Sequence, residues 1–364
     1  MNTTNELQSN TIDYLRFPLV VFVIFIHNYQ QTVSVPGSII GNENYMPIYH
    51  LISELFSKTL GSIAVPLFYI IAGFLFFINV ELFSIKCYRD KLKSRVRTLL
   101  IPYLFWNIAT IAFYYTCYAI PPIRLLMNVT PEFSVSYFLK SLWMFHGGEY
   151  PIAYQFWFIR DLMVISIMSP IIYFAIKKLK LIFIFSLSII WLSGWRLNFE
   201  GYETVSALFF DSIFFFSAGG WFSINKKSLL SEMKKVSRLS YIFYPIFGIA
   251  DLITKNHAYN IYFHKLGIIL GIMFSFNLVS HLLKTKKINP APFLSAAAFF
   301  VFSIHHIPLT ALRKASFSIL NPNTEILTII LYFSNVFIVT IFALFMYYFL
   351  RKHTQGFIAF VTGR

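Results

Sequence analysis

Residues 12–31 read IDYLRFPLVVFVIFIHNYQQ, an apolar run long enough to cross a lipid bilayer as a single helix. The run carries Arg16 near its start and His27 near its far end. Their separation of eleven residues turns a helix by roughly three full turns, so both side chains lie on one face, roughly 16 Å apart along the axis. Because an ionisable side chain inside a span is costly, such residues indicate function. Two on one face predict a long ligand lying along the helix.

The composition of the whole chain is that of a polytopic membrane protein. Of its 364 residues, 57% are hydrophobic and only 12% are charged. We therefore predict an all-α fold with a single transmembrane domain over residues 1–364. The formal net charge of +15 could suggest a nucleic-acid binder, but the basic residues form short clusters between apolar runs. Topogenic signals have this distribution, so no nucleic-acid partner is expected.

Ten apolar runs are long enough to be interpreted as membrane spans. Their approximate limits are 12–31, 56–81, 98–120, 155–176, 179–197, 204–223, 239–254, 260–283, 292–313 and 324–350. The seventh run is short and contains Pro245 and Asp251. The leader carries Glu6 and Asp13, and no small-residue cleavage site follows the first run. We therefore expect that run to remain as a span rather than to be removed as a signal peptide.

Lysine and arginine are concentrated on one side of this topology. Twenty of the 30 lie in the connections that follow even-numbered spans and in the C-terminal tail. The positive-inside rule then places both termini in the cytoplasm. Cys87 and Cys117 fall near opposite membrane faces, so neither a disulfide nor a cysteine-based zinc site is expected.

Ionisable residues from four spans share one depth, in the outer half of this topology. They are His27, Arg160, Asp161, Asp211, His305 and His306. In hydrocarbon, such groups must face one another or a wet cavity. We therefore expect a polar chamber that opens outward. Its basic entrance on the cytoplasmic side would be formed by Arg16, Arg95 and Arg97.

Several of these residues also have a purely structural interpretation. Arg16 could be an interfacial anchor whose head group reaches the surface, and His27 could be a hydrogen-bonded core histidine. Arg160 with Asp161 could be a structural ion pair, and Asp211 could support helix packing. Arg95 and Arg97 could serve only as topogenic charges. The sequence leaves these alternatives open.

A zinc site built from three histidines is a further possibility. It requires His27, His305 and His306 to converge. Adjacent residues on one helix point about 100° apart, which disfavours convergence of His305 and His306. We therefore expect no bound metal.

Acyl-CoA fits the polar face of the first span. Arginines bind phosphates as planar cations with several donors, so Arg16, Arg95 and Arg97 are the expected CoA-binding residues. The pantetheine arm would carry the thioester towards His27, which would act as general base on an acceptor hydroxyl. An acyl-histidine intermediate is the alternative.

Other polar groups of the outer layer would support this reaction. Asp161 or Asp211 would orient His27 and stabilise its protonated form. The expected acceptor-binding residues are Trp157, Arg160 and His305. The expected partners are therefore acyl-CoA as co-substrate, an acceptor that enters from outside the membrane, and the bilayer, with no tightly bound cofactor.

Five motifs resemble, in order, those of acyltransferase family 3, the integral-membrane O-acyltransferases. They are DYLR at 13–16 with His27, AVPLF at 64–68 with AGF at 72–74, RVR at 95–97 with LIPYLFW at 100–106, FWFIRDL at 156–162, and FVFSIH at 300–305. Ala72 and Phe302 stand where serine and tyrosine are usual. No single motif is highly specific, but the ordered set covers essentially the whole chain.

The resemblance implies transfer of an acyl group, usually acetyl, from cytoplasmic acyl-CoA to a sugar hydroxyl of a cell-envelope glycan. It also implies a multi-pass protein of a bacterial inner membrane, with functional roles for Arg16 and His27. The main alternative is a transporter or flippase of a glycan or lipid-linked substrate, which ten spans and a buried charged layer would also suit. That class predicts inverted repeats and broken spans, neither of which the sequence indicates. A ligand-binding sensor or scaffold is a third class.

Overall fold

The computed structural model is helical apart from one short β-hairpin. It describes residues 3–29, 33–35, 38–40, 46–124, 130–132, 134–144, 150–194 and 205–364. The hairpin pairs β1 (Val33–Val35) with β2 (Ser38–Ile40) in antiparallel register, with Val33 opposite Ile40. Cys87 and Cys117 are both free thiols.

Seventeen α-helices lie within the described ranges. They are α1 (Thr3–Asn28), α2 (Pro47–Glu54), α3 (Ala64–Phe77), α4 (Ile85–Arg95), α5 (Ile101–Ala119), α6 (Pro121–Arg124), α7 (Val135–Trp143), α8 (Trp157–Leu179), α9 (Leu181–Ser193), α10 (Val205–Ile224), α11 (Leu229–Lys235), α12 (Ser237–Ile253), α13 (Asn260–Lys284), α14 (Pro292–Ile304), α15 (His306–Leu320), α16 (Glu325–His353) and α17 (Gln355–Thr362). A π-helical segment, Leu55–Leu60, and a 3-10 turn, Gly61–Ile63, join α2 to α3. A second π-helical segment, Val96–Leu100, joins α4 to α5, and a 3-10 turn, Tyr154–Phe156, precedes α8.

Each of the ten predicted runs overlaps a helix, and the chain is a multi-pass membrane protein. Within the described residues, six helical segments are long and apolar enough to cross a bilayer. The number rises to eight if each of two bent pairs, α11 with α12 and α14 with α15, counts as one span. The count of ten stays a prediction, because α9 has only 13 residues, fewer than a bilayer crossing needs. The cytoplasmic position of the termini also stays a prediction. Three ends of predicted runs lie outside the described residues. They are the end of the first run at Gln31, the end of the fifth at 195–197 and the start of the sixth at 204.

The ninth predicted run is not one continuous helix. The sequence suggested an unbroken span over residues 292–313, whereas α14 and α15 meet at a bend of 65° beside His305. A bend of 72° likewise separates α11 from α12 at Val236, just before the seventh run. Pro245, by contrast, lies inside the continuous α12. The expectation of an unbroken span was therefore wrong for the ninth run, whereas the bend at Val236 lies outside the seventh.

The chain divides into two compact units. The first unit comprises Met1–Asn79 and Ala218–Phe349, and the second comprises Val80–Ser217 and Leu350–Arg364. The prediction of one domain over the whole chain stays a prediction. His27, His305 and His306 belong to the first unit, whereas Arg160 and Asp161 belong to the second.

Helix α1 lies at the core of the first unit. Its apolar positions Leu19, Val20 and Ile24 are buried, and α13, α14 and the π-helical segment pack around it. Gly219 on α10 permits a close backbone approach to α3, because a Cβ there would lie 2.0 Å from the carbonyl oxygen of Ile70. The first unit is thus held together by apolar burial and close helix packing.

In the second unit, α17 packs against α5. The indole Nε1 of Trp106 donates to the carbonyl oxygen of Val361 at 3.0 Å. Gly363 ends α17 with φ of +71°, where its backbone lies against Thr98. A side chain at that position would be strained in conformation and would collide with Thr98.

Candidate functional site

Three histidine rings meet in the first unit. The ring centroid of His27 lies 5.2 Å from that of His305 and 5.4 Å from that of His306. The rings of His305 and His306 are 6.4 Å apart and nearly perpendicular. The ring of His27 thus contacts both, although about 280 residues separate α1 from the junction of α14 and α15.

The bend at His305 makes this convergence possible. Helix α14 ends where the His305 amide donates to Val301, and α15 begins where the His305 carbonyl oxygen accepts from the Leu309 amide. The expectation that adjacent histidines would not both face His27 was therefore wrong. Within the described residues, no three histidine, cysteine or acidic side chains form a group that could hold a metal ion. The absence of a metal from the working protein stays a prediction.

His305 is fully buried, and its hydrogen bonding determines which ring nitrogen carries the proton. Nδ1 lies 2.6 Å from the carbonyl oxygen of Phe302. Because a carbonyl oxygen only accepts, Nδ1 carries a proton, which in the neutral ring leaves Nε2 with a lone pair. Among the described residues, that buried Nε2 has no hydrogen-bond partner. It is therefore available to accept a proton or a hydrogen bond from a ligand.

Arg313 is a site residue that the sequence analysis missed. It is buried on α15, and its Nη1 donates to the main-chain oxygen of His27 at 3.0 Å. None of the ion pairs between described residues includes Arg313. A spacing signal existed, since Arg313 follows His306 by seven residues and so lies on the same face of a helix. Arg313 is the last residue of the ninth predicted run, a position that also suits an interfacial anchor.

The end of α1 that carries His27 is held from two further directions. The Ser57 hydroxyl, on the π-helical segment, donates to the carbonyl oxygen of Phe25 at 2.6 Å and pairs with the hydroxyl of Tyr332. The side-chain amide of Asn28 donates to the Tyr332 carbonyl oxygen at 2.8 Å. A π-helical turn is rare and frequently marks a functional site. These contacts fix the last turn of α1 and therefore the backbone from which the His27 side chain extends.

Arg16 is ion-paired on its own helix. Its Nη1 lies 3.0 Å from Oδ1 of Asp13, and both side chains are partly exposed. Helix α1 runs without interruption through Arg16 and His27, despite Pro18, as their predicted shared face requires. The Asp13 carboxylate occupies part of the guanidinium fork, so a phosphate would have to share Arg16 or replace Asp13.

The second unit contains a buried ion pair within one helix. Arg160 and Asp161 are adjacent at the start of α8, with Nε of Arg160 donating to Oδ1 of Asp161 at 3.1 Å. Nη1 of Arg160 donates to the main-chain oxygen of Trp143 at 3.0 Å, and the guanidinium lies 5.8 Å from the Trp143 ring centroid. These contacts match the structural interpretation of the pair. Its catalytic and substrate-binding roles stay predictions.

The remaining predicted site residues also lie in the second unit. Trp157 is the first residue of α8, and Asp211 lies on α10. Arg95 ends α4, and Arg97 follows in the π-helical segment, where its Nη2 donates to the main-chain oxygen of Arg364 at 3.1 Å. Arg97 therefore holds the C-terminal segment. CoA binding by either arginine stays a prediction.

Comparison with known proteins assigns the chain to a family. A family model described as an acyltransferase domain, that of acyltransferase family 3, matches residues 9–361. No curated protein and no solved structure matches the chain significantly. The family match confirms the resemblance of the five ordered motifs. Because it covers nearly the whole chain, this multi-pass membrane protein belongs to acyltransferase family 3.

Proposed function

We propose that this protein transfers an acetyl group from cytoplasmic acyl-CoA to a hydroxyl of a cell-envelope sugar, in a bacterial inner membrane. The observation that carries the proposal is the meeting of His27, His305 and Arg313 in the first unit. This arrangement supplies imidazole nitrogens that can accept a proton. It also places the guanidinium cation of Arg313 beside them. Both are what acyl transfer to a hydroxyl requires.

In the proposed reaction, His27 acts as the general base. Its ring takes the proton of the acceptor hydroxyl while the hydroxyl oxygen attacks the thioester carbonyl carbon. The tetrahedral intermediate then collapses, the carbon–sulfur bond breaks, and the CoA sulfur leaves with the proton that the imidazolium returns. The positive charge of Arg313, held 3.0 Å from the His27 main-chain oxygen, favours the developing oxyanion.

The other predicted residues take supporting roles in this proposal. Arg16, Arg95 and Arg97 bind the CoA phosphates through their guanidinium groups. His305 contacts the acceptor sugar, since its unpartnered Nε2 is suited to accept a hydroxyl hydrogen. Trp157 and Arg160 keep their predicted acceptor-binding roles. Asp161 and Asp211, in the second unit, keep their predicted supporting roles. An acyl-histidine route, in which the His27 ring itself attacks the thioester, uses the same residues.

The test uses membranes from the native strain lacking its own copy of the protein. Wild type, His27→Ala and His257→Ala are each supplied with acetyl-labelled acetyl-CoA, and base-labile label is counted in the glycan fraction. His257 is a matched control, because it is an exposed histidine of the same unit outside the cluster. We expect label with wild type and His257→Ala and none with His27→Ala.

The other results would overturn the proposal at different points. Equal label in all three samples would remove His27 from catalysis. No label in any sample, with the proteins present and folded, would exclude acetyl-CoA as donor to this glycan fraction.

A second candidate function, transport or flipping of a glycan or lipid-linked substrate, is favoured by the two broken helix pairs. Bends of 72° and 65° interrupt α11–α12 and α14–α15, and discontinuous helices are typical of transporter sites. A transporter would move its substrate across the membrane of reconstituted vesicles without any acetyl donor. Transfer of label that depends on His27 would contradict this alternative.

A further inference from the structure

A cavity of about 940 Å³ lies in the first unit, away from the histidine cluster. Residues of α1, α11, α12 and α13, together with the turn after α13, line it. It lies beside the 72° bend between α11 and α12, since Lys234 before the bend and Ser237 after it both line the cavity. On the predicted topology this end of the unit is cytoplasmic.

The lining of the cavity is strongly basic. Lys234, Lys284, Lys286 and His281 contribute to it, and Glu6 is the only acidic side chain among the described residues of the lining. None of these four basic side chains belongs to an ion pair between described residues. The neighbouring Glu232 pairs instead with Lys235, at 2.8 Å. The lysine ammonium groups of the cavity are therefore available to donate hydrogen bonds to an anionic ligand.

Hydrogen bonds hold the walls of the cavity together. Asn277 is buried on α13, and its side-chain amide donates to the Met233 carbonyl oxygen at 2.9 Å and to the Ser240 hydroxyl at 3.3 Å. The side-chain oxygen of the buried Gln8 accepts from the Leu230 amide at 3.1 Å. It also accepts from the hydroxyl of Ser228, the residue just before α11, at 2.9 Å. These bonds tie α13 and α1 to α11, so the cavity is part of the fold rather than a gap between loose surfaces.

A lipid-facing surface lies beside the cavity, on the neighbouring face of α12. Tyr241 lines the cavity, and the next residue on α12 begins a stripe of Ile242, Ile246 and Ile249, which are 57%, 51% and 58% exposed. Their spacing of four and three residues places them on one face of the helix. In a membrane protein, exposed apolar side chains of a spanning helix face lipid. A ligand in the cavity can therefore be charged at one end and apolar at the other.

We propose that the cavity binds the phosphate of an anionic membrane phospholipid, whose acyl chains lie along the isoleucine stripe of α12. Ammonium groups make charge-assisted hydrogen bonds to phosphate oxygens, and basic pockets between spanning helices on the cytoplasmic side bind anionic headgroups. The phosphates of CoA or inorganic phosphate share the charge chemistry. Neither makes use of the apolar stripe, which favours the lipid. The proposal is independent of the acyl-transfer function.

Native mass spectrometry of the detergent-purified full chain tests the proposal. Phosphatidylglycerol and phosphatidylcholine, with identical acyl chains, are titrated onto wild type and onto the triple variant Lys234→Gln/Lys284→Gln/Lys286→Gln. The matched control is Lys177→Gln/Lys178→Gln/Lys180→Gln, which removes three exposed lysines from another basic connection on the same predicted face. We expect wild type and control to retain phosphatidylglycerol about tenfold better than phosphatidylcholine, and the cavity variant to lose that preference.

Three results would overturn the proposal. They are equal retention of phosphatidylglycerol by wild type and the cavity variant, an equal loss in the control, and displacement of bound phosphatidylglycerol by CoA or inorganic phosphate. The first would exclude the cavity lysines, the second would indicate a bulk charge effect, and the third would assign the site to a soluble phosphate. If the triple variant fails to fold, the single variant Lys284→Gln, at an exposed position, replaces it, and a reduced preference for phosphatidylglycerol is expected.

Discussion

Nη1 of Arg313 donates to the main-chain oxygen of His27 at 3.0 Å, across 286 residues of sequence. The bond places a buried cation at the last turn of α1, where unpaired helix carbonyls favour positive charge. The same turn carries the ring that contacts His305 and His306. Arg313 thus links α15 directly to the residue that the proposed chemistry uses as base.

We expect Arg313→Gln to lower kcat for acetyl transfer by about 100-fold with little change in the KM for acetyl-CoA, because charge stabilisation acts mainly in the transition state. Arg313→Lys should retain part of the activity, since it keeps the charge but not the planar fork. Steady-state kinetics with labelled donor measures both. The neighbouring Lys314→Gln, at an exposed position, is the control. Unchanged kcat in a folded Arg313→Gln variant would exclude the role.

His27 and His305 can be separated by asparagine substitutions. Asparagine can reproduce a donor at the place of Nδ1, so His305→Asn can keep the bond to Phe302 while it removes Nε2. If His27 is the base, His27→Asn should lower kcat by about 10²–10⁴-fold, whereas His305→Asn should chiefly raise the KM for the acceptor. The reverse pattern, with kcat lost in His305→Asn alone, would make His305 the base.

Gly219→Ala should destabilise the first unit. A Cβ at this position would lie 2.0 Å from the carbonyl oxygen of Ile70, so α10 and α3 would have to separate, at a cost of about 1–3 kcal/mol. Thermal unfolding in detergent should show a lowered Tm. Gly356→Ala is the matched control, because a Cβ there meets nothing within 4 Å. An unchanged Tm for Gly219→Ala would show that the two helices are not packed this closely.

Asp251 accepts hydrogen bonds from three neighbours at the far end of α12. Oδ2 accepts from the Thr59 hydroxyl at 2.9 Å and lies 3.1 Å from Nδ1 of His264, while Oδ1 accepts from the Asn260 amide at 3.0 Å. Asp251→Ala would leave these groups without their acceptor, so we expect a loss of roughly 3 kcal/mol in the free energy of unfolding.

Denaturant titration of the purified protein measures the effect of Asp251→Ala. Glu232→Ala provides the comparison, since the Glu232–Lys235 pair lies at the surface and its loss should change stability little. Equal stability of Asp251→Ala and Glu232→Ala would mean that the cluster around Asp251 does not hold α12 to the π-helical segment.

The sequence by itself determined where the long apolar helices lie. Every predicted apolar run overlaps a helix, and α1 runs unbroken through Arg16 and His27. Hydrophobicity and helical periodicity are local properties, so they can be read without knowing any neighbour. The order of five short motifs also sufficed to identify the family.

Only the tertiary structure decided how the site is assembled. The hydrogen bond from Ser57 to α1 and the contact of Arg313 with His27 join residues far apart in sequence. The bend beside His305 lets both His305 and His306 reach the His27 ring. Their positions depend on which helices pack together, and a helix can break where neighbouring helices satisfy its freed backbone groups. The basic cavity has the same origin, because four segments of the chain must meet to form it. Local pattern therefore determined the apolar helices, whereas long-range packing determined which side chains meet between them.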